Sequence, residues 1–261
     1  MVAASNQCMC SGVTPMLTMS PWPYPRWIAH RGAGKLAPEN TLAAFRLGAR
    51  HGYRAFECDV KLSADGVPFL LHDATLQRTT NGHGRAADLA WSELARLDAG
   101  SWHSRAFAGE PPASLEAVAA FCLENGHALN IEIKPTPGSD AETGRVVAEQ
   151  AARLWRGASL PPLFSSFRTA ALAAAQAAAP DIPRALLLDS LRSGWLDEAK
   201  TLGCFAVVTA YSLMDDAVLA LLHAAGLHGV CYTVNDPAAA ARLSTIGIDA
   251  LITDAVDRFS P

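Results

Sequence analysis

From Trp27 onward the chain alternates short apolar runs with longer segments of helical periodicity. Eight runs have the length and aliphatic character of strands, at residues 27–29, 55–60, 129–133, 163–167, 185–188, 205–209, 229–234 and 250–253. Most are apolar throughout rather than alternating, the pattern of parallel strands covered on both faces. Helical patterns fall between them, over 41–51, 114–125, 168–179, 214–225 and 237–246. Gly52, Gly126, Gly226 and Gly247 stand just past four of these helices, Pro180 follows another, and Pro237 opens the last. These are favoured stop and start residues. Asn40 is read as the cap of the first helix. Repeated strand–helix units with right-handed crossovers predict a (β/α)₈ TIM barrel, with an open doubly wound sheet as the alternative.

Residues 61–112 break this rhythm. Asp65-Gly66 between two apolar stretches predicts a hairpin, and a polar stretch over 73–112 with a short helix near 91–97 follows. An insertion at the C-terminal end of a barrel strand sits on the active-site face, so it is expected to cap the pocket. A surface excursion without function is the alternative. The 261 residues suit one barrel domain over 21–261, preceded by a flexible extension over 1–20. That extension lacks the cationic start and apolar stretch of a signal peptide.

Net charge is −4 with no Lys/Arg block, which gives no support to nucleic-acid binding. No apolar run reaches the ~18 residues of a spanning helix. Cysteines 8, 10, 58, 122, 204 and 231 form no CxxC pair and read as reduced thiols of a cytoplasmic protein. A homo-oligomer is left open.

The candidate chemistry lies at strand ends. Side chains alternate along a strand, so Glu57 and Asp59 share one face while Cys58 takes the other. Glu132 and Lys134 share a face of the next barrel strand in the same way. Buried carboxylates side by side need a proton, a salt bridge or a cation. Three carboxylates without a cysteine cluster suit a hard divalent cation, Mg²⁺ or Ca²⁺. The alternative is a salt bridge from Lys134 to Glu57 or Asp59. His30 and Arg31 emerge at the same rim, followed by Gly32 for a tight turn, and His72-Asp73 closes the hairpin. His30 and His72 can supply an acid and a base near neutral pH. Arg31 and Lys134 can hold phosphate oxygens. Histidines 51, 83, 103, 127, 223 and 228 read as surface or helix-end residues. Trp102 and His103 are weighed as pocket-mouth residues, with packing the plainer role for Trp102. Ser165 and Ser166 are weighed equally between substrate contact and structural hydrogen bonding.

These motifs in order resemble the glycerophosphodiester phosphodiesterase family: His30-Arg31-Gly32, Pro38-Glu39-Asn40-Thr41, Glu57-x-Asp59-Val60, His72-Asp73 and Glu132-Ile133-Lys134. Thr233-Val234-Asn235 and Ile252-Thr253-Asp254 resemble its last two strands. Residues 34–38 and 98–102 look most like the cytoplasmic branch tied to bacterial glycerol-phosphate uptake. The resemblance implies a barrel with one divalent cation on Glu57, Asp59 and Glu132. It implies cleavage of a small glycerophosphodiester to sn-glycerol 3-phosphate and an alcohol. It also implies a cyclic phosphate intermediate, with His30 as first base and His72 as acid. Tyr232 stands where the family usually has Trp, keeping an aromatic pocket wall, and Ala255-Val256 stand where it usually has Arg-Pro. Three rivals are weighed: a Schiff-base enzyme using Lys134, a binding-only relative, and a membrane-directed phospholipase.

Overall fold

Strand β1 (Trp27–Ala29) pairs in parallel with both β2 (Ala55–Leu62) and β9 (Ala250–Thr253), and this double pairing closes the sheet. Between them run β4 (Ala128–Ile133), β5 (Leu163–Ser166), β6 (Arg184–Leu188), β7 (Ala206–Ala210) and β8 (His228–Tyr232), all parallel to their neighbours. The result, in a computed structural model that describes residues 19–261, is the expected (β/α)₈ barrel. Residues 1–18, most of the expected extension, with Cys8 and Cys10, lie outside the described residues. Strand β3 (Pro68–Leu70) pairs antiparallel with the end of β2, forming the hairpin around Asp65-Gly66.

Alternation along each strand separates two cores. Phe56, Cys58 and Val60 of β2 and Leu129, Ile131 and Ile133 of β4 face the helices. Ala55, Ala128, Leu163, Ala185, Ala206, Val230 and Ala250 face the barrel axis, a packed interior rather than a pore. Tyr24 is buried in that interior, and Trp22 stacks on Phe205 at 5.8 Å.

Of the helices, α1 (Leu42–Arg50), α3 (Leu115–Asn125), α5 (Thr169–Ala178), α7 (Asp216–Ala224) and α8 (Pro237–Thr245) match the expected pattern within two residues. The short α2 (Trp91–Leu94) lies in the insertion. Two more were not anticipated, α4 (Asp140–Leu154) and α6 (Trp195–Thr201). An interior glycine weakens the helical signal of α4. A Cβ on Gly144 would lie 2.2 Å from the Ala171 carbonyl oxygen, so glycine is what lets α4 approach α5. Helix α6 has only seven residues, too few for a clear period. The cap of α1 is Thr41, whose hydroxyl accepts from the Ala44 N–H, and not Asn40.

The insertion builds a small core of its own from Phe69, Leu71, Leu76, Ala86 and Leu94. His127 and His228, read as surface or helix-end residues, are both buried, and His127 closes the end of α3 through its backbone N–H to the Cys122 carbonyl. His127 packs between the rings of Phe56 and Phe121. His228 meets Asp249 Oδ1 at 2.8 Å and the Ser20 carbonyl at 3.0 Å, polar partners that offset the loss of water around the ring.

Candidate active site

The C-terminal ends of the strands surround a cavity of about 180 Å³. Glu57 of β2 and Glu132 of β4 line it, and Asp59 of β2 lies behind them, directly opposite Glu132 in register. All three are buried, and one oxygen from each lies within 4.8 Å of the others. Burial and the neighbouring Asp59 charge push the Glu57 carboxyl up, and Glu132 shifts upward for the same two reasons. Burial acts the same way on Asp59, but Lys134, Arg31 and the Asn40 amide overcome it and hold that carboxyl below its usual range.

Lys134 Nζ stands 3.1 Å from Asp59 Oδ1 and 3.1 Å from Glu132 Oε1. The salt bridge weighed from sequence therefore exists, with Glu132 rather than Glu57 as its second partner. Burial lowers the ammonium, but these two carboxylates raise it further, which disfavours the free amine a Schiff base needs. Glu57 Oε2 accepts from the Arg31 N–H at 3.0 Å, while its Oε1 is buried with no hydrogen-bond partner among the described residues. An all-oxygen donor set with an unmet buried carboxylate oxygen fits a hard divalent cation.

Both imidazoles reach the same cavity, and each is held through Nδ1 by a carboxylate. His30 Nδ1 lies 2.6 Å from Asp254 Oδ1, and His72 Nδ1 lies 2.7 Å from Asp73 Oδ1. That leaves each Nε2 for chemistry, with His30 Nε2 3.7 Å from Glu57 Oε2. Burial lowers His30, but the Asp254 hydrogen bond and the Glu57 charge outweigh it and raise its pKa. For His72, burial wins over the pull of Asp59 and Asp73, and its pKa falls.

A second tier of residues, among them Glu39, Asn40 and Arg78, to which the sequence analysis gave no site role, holds these groups in place. Arg31 (φ 50°) and Asn40 (φ 61°) both adopt left-handed backbone, a region that favours glycine. The strain lets Asn40 clamp Asp59, donating from Nδ2 to Oδ2 at 2.8 Å and accepting the Asp59 N–H at 3.1 Å. Arg31 donates to Glu39 at 2.8 Å, and its Nε stands 3.2 Å from Asp59 Oδ2, out of line for a hydrogen bond. Arg78 of the insertion donates to both Glu39 oxygens, at 2.7 and 2.8 Å, and to Asp73 at 2.6 and 3.1 Å. With His72, that is how the insertion reaches the site.

Tyr232 lines the cavity, its hydroxyl donating to the Leu188 carbonyl at 3.2 Å and its ring edge-on to Phe167. Ser165 lines the cavity too, whereas Ser166 takes the structural part and donates to the Ile133 carbonyl at 2.6 Å. Trp102 and His103 lie outside the lining; Trp102 is 40% exposed and donates to the Ala99 carbonyl.

The family model described as Glycerophosphoryl diester phosphodiesterase family matches residues 30–258. The Bacillus subtilis (strain 168) protein YhdW, which carries a glycerophosphodiester phosphodiesterase name, is 34% identical over 240 residues, covering 88% of this chain and 94% of its own. A phosphodiesterase of Oleispira antarctica, solved with the product sn-glycerol-3-phosphate, superposes with a TM-score of 0.83 at 35% identity. That match covers 88% of this chain and 93% of the other. A glycerophosphodiester phosphodiesterase of Agrobacterium tumefaciens str. C58 gives 0.76 at 29% identity, over 90% and 98%.

Proposed function

The chain belongs to the glycerophosphoryl diester phosphodiesterase family of phosphoric diester hydrolases, and from that membership we propose how and on what it acts. Its substrates are small glycerophosphodiesters such as glycerophosphocholine and glycerophosphoethanolamine, and its products are sn-glycerol 3-phosphate and the free alcohol. The observation that carries this reading is the convergence of two carboxylate-held imidazoles on one cavity beside a cluster of three carboxylates.

Glu57, Asp59 and Glu132 would hold one divalent cation, Mg²⁺ or Ca²⁺. A bound cation of this kind supplies neutralisation of the phosphoryl charge that grows towards the transition state. Arg31 and Lys134 add to that neutralisation by binding phosphate oxygens. The two imidazoles, each held through Nδ1 by a carboxylate, divide the proton work. His30 takes the proton of the glycerol 2-hydroxyl as its oxygen bonds to phosphorus. His72 gives a proton to the departing alcohol oxygen as its bond to phosphorus breaks. Water then opens the cyclic phosphate with the two roles reversed.

The phosphodiester is a small molecule in this reading, not a bilayer lipid. Among the described residues no helix is long and apolar enough to cross a membrane. Cys58, Cys122, Cys204 and Cys231 are all buried and unpaired, which supports a reducing, cytoplasmic setting. The deciding experiment incubates the protein and Mg²⁺ or Ca²⁺ with glycerophosphocholine, glycerophosphoethanolamine and a lipid diester in parallel. Release of sn-glycerol 3-phosphate from the first two is expected. Cleavage of the lipid alone would overturn the substrate reading.

A further inference from the structure

We propose that the floor of this cavity is a subsite for the glycerol end of the substrate, in which Asn130 and Ser165 read the primary hydroxyl that takes no part in the reaction. This rests on the diesterase reading above and deepens it.

Asn130 and Ser165 point into the barrel from adjacent strands, where Asn130 is opposite Leu163 and Ser165 is opposite Glu132. Both line the cavity, at 4% and 0% exposure. Asn130 Oδ1 and Ser165 Oγ have no hydrogen-bond partner among the described residues. Buried polar atoms without partners are costly, and the neighbouring strands fill the barrel axis with the apolar Ala185, Ala206, Val208, Val230 and Ala250. Two such atoms on adjacent strands of one ligand cavity mark a place where a ligand hydroxyl completes the pairing. The amide oxygen accepts, and the serine hydroxyl either donates or accepts.

Exposure orders the site from floor to mouth. The side chains of Glu57, His30 and His72 are 4%, 16% and 31% exposed. His30 therefore works at the deep end, on the glycerol hydroxyl that attacks, and His72 works at the outer end, on the alcohol that leaves. Glycerol points inward and the headgroup outward. Of the buried polar side chains that line the cavity, Glu57 and Glu132 belong to the carboxylate cluster, and only Asn130 and Ser165 are left without a task among the described residues. A glycerophosphodiester has one hydroxyl left over, the terminal one. Leu187, Tyr232 and Ile252 line the same cavity and can flank its carbon chain.

The test compares glycerophosphocholine with the phosphocholine diester of propane-1,2-diol, which keeps the attacking hydroxyl and lacks the terminal one. The wild type should prefer the glycerol diester in kcat/KM by roughly 10²-fold or more, as sites built to bond a hydroxyl do. Asn130→Leu and Ser165→Ala should each shrink that preference by about tenfold, mainly through the glycerol diester. Calorimetry with sn-glycerol 3-phosphate and propane-1,2-diol 1-phosphate reads the same discrimination without turnover. Neither variant should lose thermal stability, since each removes an unpaired buried polar group. A wild type that treats both diols alike, or variants that keep the full preference, would overturn the proposal. Intact discrimination in binding with no hydrolysis of either diester would instead strike the diesterase reading and leave the floor standing.

Discussion

His30 Nδ1 and Asp254 Oδ1 meet at 2.6 Å although 224 positions separate them in the chain, a contact made where β1 and β9 close the barrel. Asp254 is itself fixed by Asn235, which donates to Oδ2 at 3.0 Å and accepts the Asp254 N–H at 2.8 Å. The carboxylate keeps the proton on Nδ1 and leaves Nε2 as the acceptor that faces the cavity. An amide in its place can donate to Nδ1 and so invert the tautomer. Asp254→Asn should therefore lower kcat by roughly 10²–10⁴-fold with a smaller change in KM. A loss below tenfold in steady-state kinetics would remove Asp254 from this positioning role.

Arg78 stands between the two halves of the site. Its guanidinium grips Glu39, which holds Arg31, and Asp73, which holds His72. The Asp73 carboxyl is held at about 2, chiefly by Arg78, with burial opposing and His72 assisting. At 44% side-chain exposure the pairing adds little to stability, on the order of 1 kcal/mol. Its effect should appear in catalysis, because the His72 imidazole and the Arg31 guanidinium, proposed to bind phosphate, lose their supports together. Arg78→Ala is expected to cost about 10–100-fold in kcat/KM while the melting temperature moves by only a few degrees. Arg78→Lys should not restore activity, since an ammonium cannot grip two carboxylates in a planar fork. Full activity of the lysine variant would show that charge alone is what matters.

Much of this site is legible in the sequence because strand alternation is strict. It places Glu57 and Asp59 inward and Cys58 outward, and Cys58 is indeed in the core beneath the helices. The scaffold around them is hidden for a physical reason. Asn40 reads as a helix cap, and only its positive φ turns it towards Asp59. The partners of Arg78 and Asp254 are set by barrel closure and by the path of the insertion, neither of which leaves a local pattern. The burial of His228 depends on Asp249 and on the Ser20 carbonyl, which the closed barrel brings to it.

Asp249, at the opposite end of the barrel, gives a pH signature away from the chemistry. It accepts from the Gly229 N–H at 2.8 Å and meets His228 and His223 at 2.8 and 3.1 Å. Burial raises its carboxyl, but these three partners outweigh it and hold it below the ordinary 3.8. The folded chain thus releases this proton more readily than the unfolded chain. Its stabilising effect is complete above about pH 3.8 and is lost as pH falls through the lower folded value. Asp249→Asn should lower stability at neutral pH by about 2 kcal/mol. The two melting curves should converge in strong acid, and a difference that holds constant down to pH 2 would assign the effect to packing instead.

The carboxylate cluster makes a prediction that can be read without substrate. Burial and Asp59 hold the Glu57 carboxyl above its ordinary 4.5, so the folded chain keeps a proton there that the unfolded chain has given up. Without metal, stability should fall as pH rises above that ordinary value. A divalent cation favours the ionised carboxylates, so the rise in melting temperature on adding Mg²⁺ or Ca²⁺ should grow over the same range. At a hundredfold excess over Kd the gain should reach ~2.7 kcal/mol. Glu57→Gln should flatten the pH slope and remove most of the metal-induced shift, and Glu132→Gln, the other carboxyl raised by burial, should lessen both as well. EDTA should abolish turnover in the wild type, and either cation should restore it. Turnover that persists in chelator, together with a melting temperature indifferent to added cation, would show that these three acids hold no metal.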